Sequence, residues 1–126
     1  MHKSQLAGFI IDCQTEDLDA AASFWGAALG LESKKFKNPE ESEYRSLETA
    51  PDDYHIEVQR VSHASRVHLD IETDDIKAEV ERLEALGARR LGPIKGWVVM
   101  EAPTGQRFCV VKAGRANFAE SANHWD

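Results

Sequence analysis

The sequence predicts an α+β fold built from paired βαβββ modules, and three observations carry that expectation. The chain nearly repeats itself: Ile10-Ile11-Asp12-Cys13-Gln14-Thr15-Glu16-Asp17-Leu18 aligns with His68-Leu69-Asp70-Ile71-Glu72-Thr73-Asp74-Asp75-Ile76, an offset of about 58 residues. Each copy leads from a strand-like stretch into apolar residues at helical spacing, and then into three further strand-like segments. A length of 126 residues with 42% hydrophobic content suits a single core-bearing domain. The repeat is chemically uneven, because the position of Ile10 in one copy holds His68 in the other.

In the first module, set at about residues 7–61, Gly8 to Gln14 reads as a buried strand, and Thr15 is the expected cap of the helix that follows. Leu18, Ala21, Ala22, Trp25, Ala28 and Leu29 recur at helical spacing, and Gly30 supplies the left-handed conformation that ends such a helix. Leu31 to Phe36, Tyr44 to Leu47 and His55 to Val61 read as strands, separated by a charged loop around Pro39 and a turn at Ala50-Pro51-Asp52-Asp53.

The second module, about residues 66–113, repeats that order. Arg66 to Glu72 is a strand, Thr73 the expected cap, and Ile76, Val80, Leu83 and Leu86 the apolar stripe of a helix that Gly87 closes. Ala88 to Leu91, Trp97 to Ala102 and Arg107 to Lys112 complete it, with turns at Lys95-Gly96 and Pro103-Thr104-Gly105-Gln106. Residues 114–126 form a tail in which Phe118 and Trp125 stand among small and polar residues. Glu79, Glu81, Arg82 and Glu84 are expected on the solvated face of the second helix, while Trp25, Trp97 and Phe24 belong by spacing to the core.

Composition excludes several function classes. A net charge of −7 without a Lys/Arg cluster argues against nucleic acid, since no surface would release phosphate counterions. No apolar run approaches the roughly 20 residues of a membrane span, and the opening lacks a signal-peptide core, so a cytoplasmic protein without membrane contact is expected. Cys13 and Cys109 form no CxxC pair and read as reduced thiols.

Alternation assigns the strand faces. Ile11 and Cys13, Ile56 and Val58, Leu69 and Ile71, and Phe108 and Val110 turn toward helices, which sends Ile10, Asp12, Glu57, Gln59, His68, Asp70 and Cys109 to the opposite face. That group is too polar and acidic for a second core and is the expected lining of a cleft. His68 and Glu57 are the candidate catalytic residues; Asp12, Gln59, Asp70, Trp97 and Cys109 are candidate ligand-binding residues. His2, His63 and His124 fall in termini or a loop and His55 begins a strand, so none leads.

The chain resembles the vicinal oxygen chelate superfamily, which includes glyoxalase I, bleomycin-resistance proteins and extradiol dioxygenases. The carriers are the paired βαβββ layout, Asp17-Leu18 followed by Phe24-Trp25 and Leu29-Gly30-Leu31, the strand Val67-His68-Leu69-Asp70-Ile71, and Ala102-Pro103-Thr104-Gly105-Gln106-Arg107-Phe108-Cys109-Val110. The resemblance implies curved mixed sheets around a cleft and a homodimer. It also implies metal-ligand slots at Ile10, Glu57, His68 and Cys109, of which isoleucine coordinates nothing and cysteine suits zinc better than magnesium or manganese.

The reading that follows is a glyoxalase-like small-molecule binding protein with no cofactor, whose acidic cleft accepts a neutral or cationic aromatic compound in the manner of bleomycin-resistance proteins. A divalent metal such as zinc, nickel or manganese is the disfavoured alternative, in a lyase or isomerase using Glu57 and His68.

Overall fold

The first strand, β1, runs for 13 residues, His2–Gln14, and starts well before the expected Gly8. The computed structural model describes residues 1–94 and 96–126, so the Lys95 half of the expected Lys95-Gly96 turn lies outside the described residues. Two compact units divide the chain: Phe9–Val67, and Met1–Gly8 together with His68–Asp126.

Within Phe9–Val67, α1 (Leu18–Leu29) is followed by β2 (Ser33–Lys35), β3 (Tyr44–Leu47) and β4 (His55–Val61) in the strand order β2-β3-β4-β1. The charged loop contains one 3₁₀ turn, Pro39–Glu41. Thr15 does not cap α1. Asp17 does, accepting the Ala20 N–H at 3.0 Å, while the Thr15 hydroxyl accepts the Asp17 N–H at 3.0 Å and shapes the turn before it. A capping oxygen must reach the amide three residues on, and for a helix starting at Leu18 only residue 17 is so placed.

Leu18, Leu47 and Val58 are buried against Cys13, Ala21, Trp25, Leu31 and Ile56, as alternation and helical spacing required. Phe24 departs from the expected core and is 63% exposed, its ring set edge-on to Trp25 at 5.1 Å. One residue is a rotation of about 100° around a helix, so the face that buries Trp25 turns Phe24 outward. Gly30, at φ 71°, ends α1 as expected. Gly26 is held by closeness of backbone: a Cβ there would stand 2.8 Å from the Leu31 carbonyl oxygen, and the Leu31 N–H donates to the Gly26 carbonyl at 2.8 Å.

The other unit takes up β5 (Arg66–Thr73) from His68 onward, then α2 (Ile76–Ala85), β6 (Arg89–Ile94), β7 (Trp97–Glu101), β8 (Arg107–Lys112), the single turn α3 (Phe118–Ser121) and β9 (Asn123–Trp125). Its strand order is β1-β5-β8-β7-β6, with β5 parallel to β8 and β7 antiparallel to both neighbours. The cap geometry of the first helix is repeated: Asp75 accepts the Ala78 N–H at 3.0 Å and Thr73 the Asp75 N–H at 3.1 Å, so Thr73 is likewise displaced as cap. Val80, Leu83, Val98, Met100 and Val110 form the core, packed by Ile71, Ile76, Ala88 and Phe108. Leu86 falls off the expected stripe, 67% exposed, because α2 ends at Ala85. Leu69 is also 44% exposed, leaving Ile71 to do the packing on that strand.

The tail docks on this unit. β9 lies antiparallel to β1, His2 opposite Trp125, and the Trp125 indole N–H donates to the Ser4 hydroxyl at 2.8 Å beneath the Arg82 guanidinium, 3.9 Å from the ring centre. Buried Glu72 accepts the Gly114 and Arg115 backbone N–H groups at 2.9 and 3.0 Å and the Gln5 side chain at 2.6 Å. Glu79, expected on the solvated face, is fully buried: Arg82 Nε and Nη2 each donate to it at 2.8 Å and His2 Nε2 at 2.7 Å. Burial pushes its carboxyl up, but the hydrogen bonds from Arg82, His2 and Ser4 outweigh this and hold it below the ordinary glutamate range.

Two outcomes follow from this packing. Gly26→Ala drives a methyl group into the Leu31 carbonyl and is expected to cost about 1–3 kcal/mol, read as a lower urea midpoint with unchanged m-value. Because the Glu79 pKa is depressed by folding, its contribution is present above the unfolded-state value of about 4.3 and is lost as pH falls through the folded one. Glu79→Gln is therefore expected to lower stability at pH 7 and to flatten the decline between about pH 5 and pH 3, measured by denaturant titration across that range.

Candidate functional site

The face of β5 that turns away from α2 carries His68, Asp70 and Glu72 at two-residue steps. β5 and β8 run parallel with Leu69 opposite Phe108, Asp70 opposite Cys109 and Ile71 opposite Val110. Each strand thus sets one polar residue between two apolar ones, of which Ile71, Phe108 and Val110 pack toward the helix, and the register brings Asp70 and Cys109 side by side. On the far side of β8, Val99 of β7 is opposite Cys109, and Glu101 opposite Arg107. Trp97, half-buried and two residues before Val99, shares that face.

This arrangement brings together one nitrogen, one oxygen and one sulfur donor. The ligating atoms of His68, Asp70 and Cys109 all lie within 4.8 Å of one another, and His68 Nε2 stands 3.7 Å from Asp70 Oδ1. The His68 and Asp70 side chains are 13% and 11% exposed, so the group is open to a small molecule yet sheltered. Three candidate residues meet here. The expectation that no metal is held loses ground, because three convergent metal-ligand types are the minimum set for a protein-bound zinc-class ion. Asp70, expected only to help bind a ligand, is the third donor.

Asp12, Glu57 and Gln59 belong to the other unit. Asp12 is 2% exposed and Arg66 Nε lies 3.6 Å from its carboxylate, with Arg66 Nη2 also 3.2 Å from His63 Nε2. Glu57 is opposite Ser46 and Gln59 opposite Tyr44, on the face of β4 away from Ile56 and Val58, as alternation requires. Ile10 is buried at 2% exposure and contributes packing. A hollow of about 630 Å³ in the same unit is bounded by Gln14, Thr15, Glu16, Glu43 and Arg60, none of them an expected site residue. Arg60 Nε and Nη2 donate to Glu43 at 2.6 and 2.7 Å, and this hydrogen bonding holds the Glu43 carboxyl below its usual range and raises Arg60. Arg60 and Glu43 thus occupy one another there, whereas the donor cluster brings three ligand types together.

Cys13 and Cys109 are not joined in a disulfide. Cys13 packs under α1, where burial pushes its thiol up against a lesser, opposing hydrogen bond with Trp25. Sequence reasoning placed His68, Asp70 and Cys109 on polar strand faces but did not pair Asp70 with Cys109. A signal existed in the matching apolar-polar-apolar triplets Leu69-Asp70-Ile71 and Phe108-Cys109-Val110. Among the described residues no helix is long and apolar enough to cross a membrane.

The fold agrees with solved structures. A hypothetical protein from Bacillus halodurans superposes with a TM-score of 0.65 at 12% identity, over 88% of this chain and 95% of that one. A methylmalonyl-CoA epimerase in complex with methylmalonyl-CoA and NH4+ gives 0.58 at 18% identity, over 88% and 96%. A Mn(II)-bound glyoxalase from Novosphingobium aromaticivorans gives 0.60 at 17% identity, over 92% of this chain and 44% of that one. No curated protein matches the sequence. The family model of the glyoxalase-like domain matches residues 8–111, and the chain therefore belongs to that family, within the vicinal oxygen chelate superfamily it resembles.

Proposed function

We propose that the protein holds a divalent ion of the zinc class at His68, Asp70 and Cys109, and that it binds and converts a small oxygen-bearing molecule there, as a lyase or isomerase of the glyoxalase type. The observation that carries this reading is the convergence of three different donor atoms within 4.8 Å. Imidazole nitrogen, thiolate sulfur and carboxylate oxygen are all zinc ligands, and three protein ligands leave a fourth position for a substrate oxygen. The same set suits magnesium or manganese poorly, because those hard ions avoid sulfur. The 3.7 Å between His68 Nε2 and Asp70 Oδ1 is slightly wider than the separation of about 3.3–3.5 Å that nitrogen and oxygen ligands with bond lengths near 2.0–2.2 Å have around a tetrahedral ion, so a small rotation of either side chain would complete the geometry.

The ion, when bound, supplies Lewis-acid polarisation of an oxygen next to the bond that changes. The chain does the rest. Packing of Ile71 against the core under α2 and pairing with β8 fix the strand, which aims His68 and Asp70 without a long flexible linker. Val99 and Trp97 give the same face an apolar floor on which a substrate's carbon skeleton can lie. The metal-independent alternative, sequestration of a neutral or cationic aromatic compound, rests on the net charge of −7, and no side-chain arrangement among the described residues favours it.

Protein purified without chelator is expected to contain about one zinc or nickel per chain by elemental analysis. His68→Ala and Cys109→Ser should each weaken zinc affinity at least about tenfold, read by competition with a chelating dye, since even residues behind the ligands cost that much. Added zinc should slow alkylation of Cys109 and leave Cys13 unchanged, read by peptide mass spectrometry. Metal-free wild-type protein that cannot be loaded would return the function to sequestration.

A further inference from the structure

Arg107 occupies an unusual place on the polar face. It lies two residues before Cys109 on β8, so both side chains leave the sheet on one side. The parallel pairing begins with Leu69 opposite Phe108, so His68 and Arg107 are the residues that immediately precede the first pair on each strand and share the polar face. Across the next strand pair, Arg107 is opposite Glu101 and Glu101 is opposite Arg89.

The two arginines treat Glu101 differently. Arg89 Nη2 donates to Glu101 Oε1 at 2.6 Å, whereas Arg107 Nε comes no nearer than 4.0 Å to Oε2, too far for a hydrogen bond. Arg89's hydrogen bond, followed by its charge and that of Arg107, holds the Glu101 carboxyl below its usual range. Glu101 is thus committed to Arg89, and among the described residues Arg107 keeps its planar donor fork open beside His68, its side chain 46% exposed. Two guanidiniums against the Glu101 carboxylate leave this edge of the face positive, beside the Asp70 carboxylate of the donor cluster, in a chain whose net charge is −7. The charge of the whole chain points to neutral or cationic ligands; the charge at this edge points the other way.

We infer that Arg107 is the specificity-determining residue of the site, and that the substrate class is a small carboxylate carrying a carbonyl or hydroxyl oxygen on the adjacent carbon. A guanidinium fork matches the two oxygens of a carboxylate in a way that an ammonium does not. The His68, Asp70 and Cys109 end receives the neighbouring oxygen, and to that extent the inference rests on the metal reading above. Val99 and Trp97 lie under the remaining carbon chain.

The test measures binding by calorimetry and saturation-transfer NMR, on zinc-loaded and on chelator-treated protein. The probes are pyruvate, phenylpyruvate and lactate, with methyl pyruvate as the uncharged control and inorganic phosphate as the competing anion. At least one acid is expected to bind at least about tenfold more tightly than methyl pyruvate and phosphate, and Arg107→Gln to remove that preference while zinc content stays unchanged. Arg107→Lys should restore only part of it, because it returns the charge without the fork. Ester and acid binding alike, phosphate binding as tightly as the best acid, no binding of any acid in either form, or an unaltered preference in Arg107→Gln overturns the inference. Zinc absent from wild-type protein that still shows the Arg107-dependent preference overturns the metal reading alone.

Discussion

The chemistry of this protein depends on one pairing: β5 lies parallel to β8 in the register that puts Asp70 opposite Cys109. A slip of one residue would reverse one strand's faces, turning Phe108 or Val110 toward Asp70 and sending the thiol into the core of Val80, Leu83 and Met100. The register is protected because the intervening residues, Ile71, Phe108 and Val110, are the ones that pack under α2. The same contacts that stabilise the unit therefore place the donors, and no separate device is needed to aim them.

The duplicated frame and its unequal contents separate structure from chemistry. Thr15 and Asp17 in one half, and Thr73 and Asp75 in the other, build the same turn and the same helix cap with nearly the same distances. What differs is what the frame displays. Ile10 is buried in packing where His68 faces the donor cluster, and Asp12 is near Arg66 where Asp70 is near His68. Family membership follows from the frame, while the reaction must be argued from the side chains it holds.

Local pattern made much of this legible. The limits of β3, β4 and β8 match the sequence reading to the residue, because charged loops and turns bound each of them. The caps were misplaced by two residues, since threonine and aspartate both accept helix N–H bonds and only the true start of the helix decides between them. Phe24 and Leu86 show that spacing identifies a stripe but not where the core stops beneath it. Glu79 looked like a solvated acid on an amphipathic helix; its partner His2 is 77 residues away, beyond what any periodicity can report. Asp70 and Cys109 were hidden for the same reason: each was recognisable as polar on a strand, and only the strand pairing makes them neighbours.

Glu72 sits on the same strand face as the donor cluster and fastens the last segment of the chain through two uncharged backbone amides, while its other oxygen accepts the Gln5 carboxamide of β1. Attachments of this kind differ from the exposed Arg60 and Glu43 contact in how they respond to dissolved ions. Counterions gather around opposite charges in solvent and loosen them, but they find little purchase on a buried acid held by neutral dipoles. Concentrated salt should thus relax the outer surface of the protein while the anchorage of residues 114–126 stays in place.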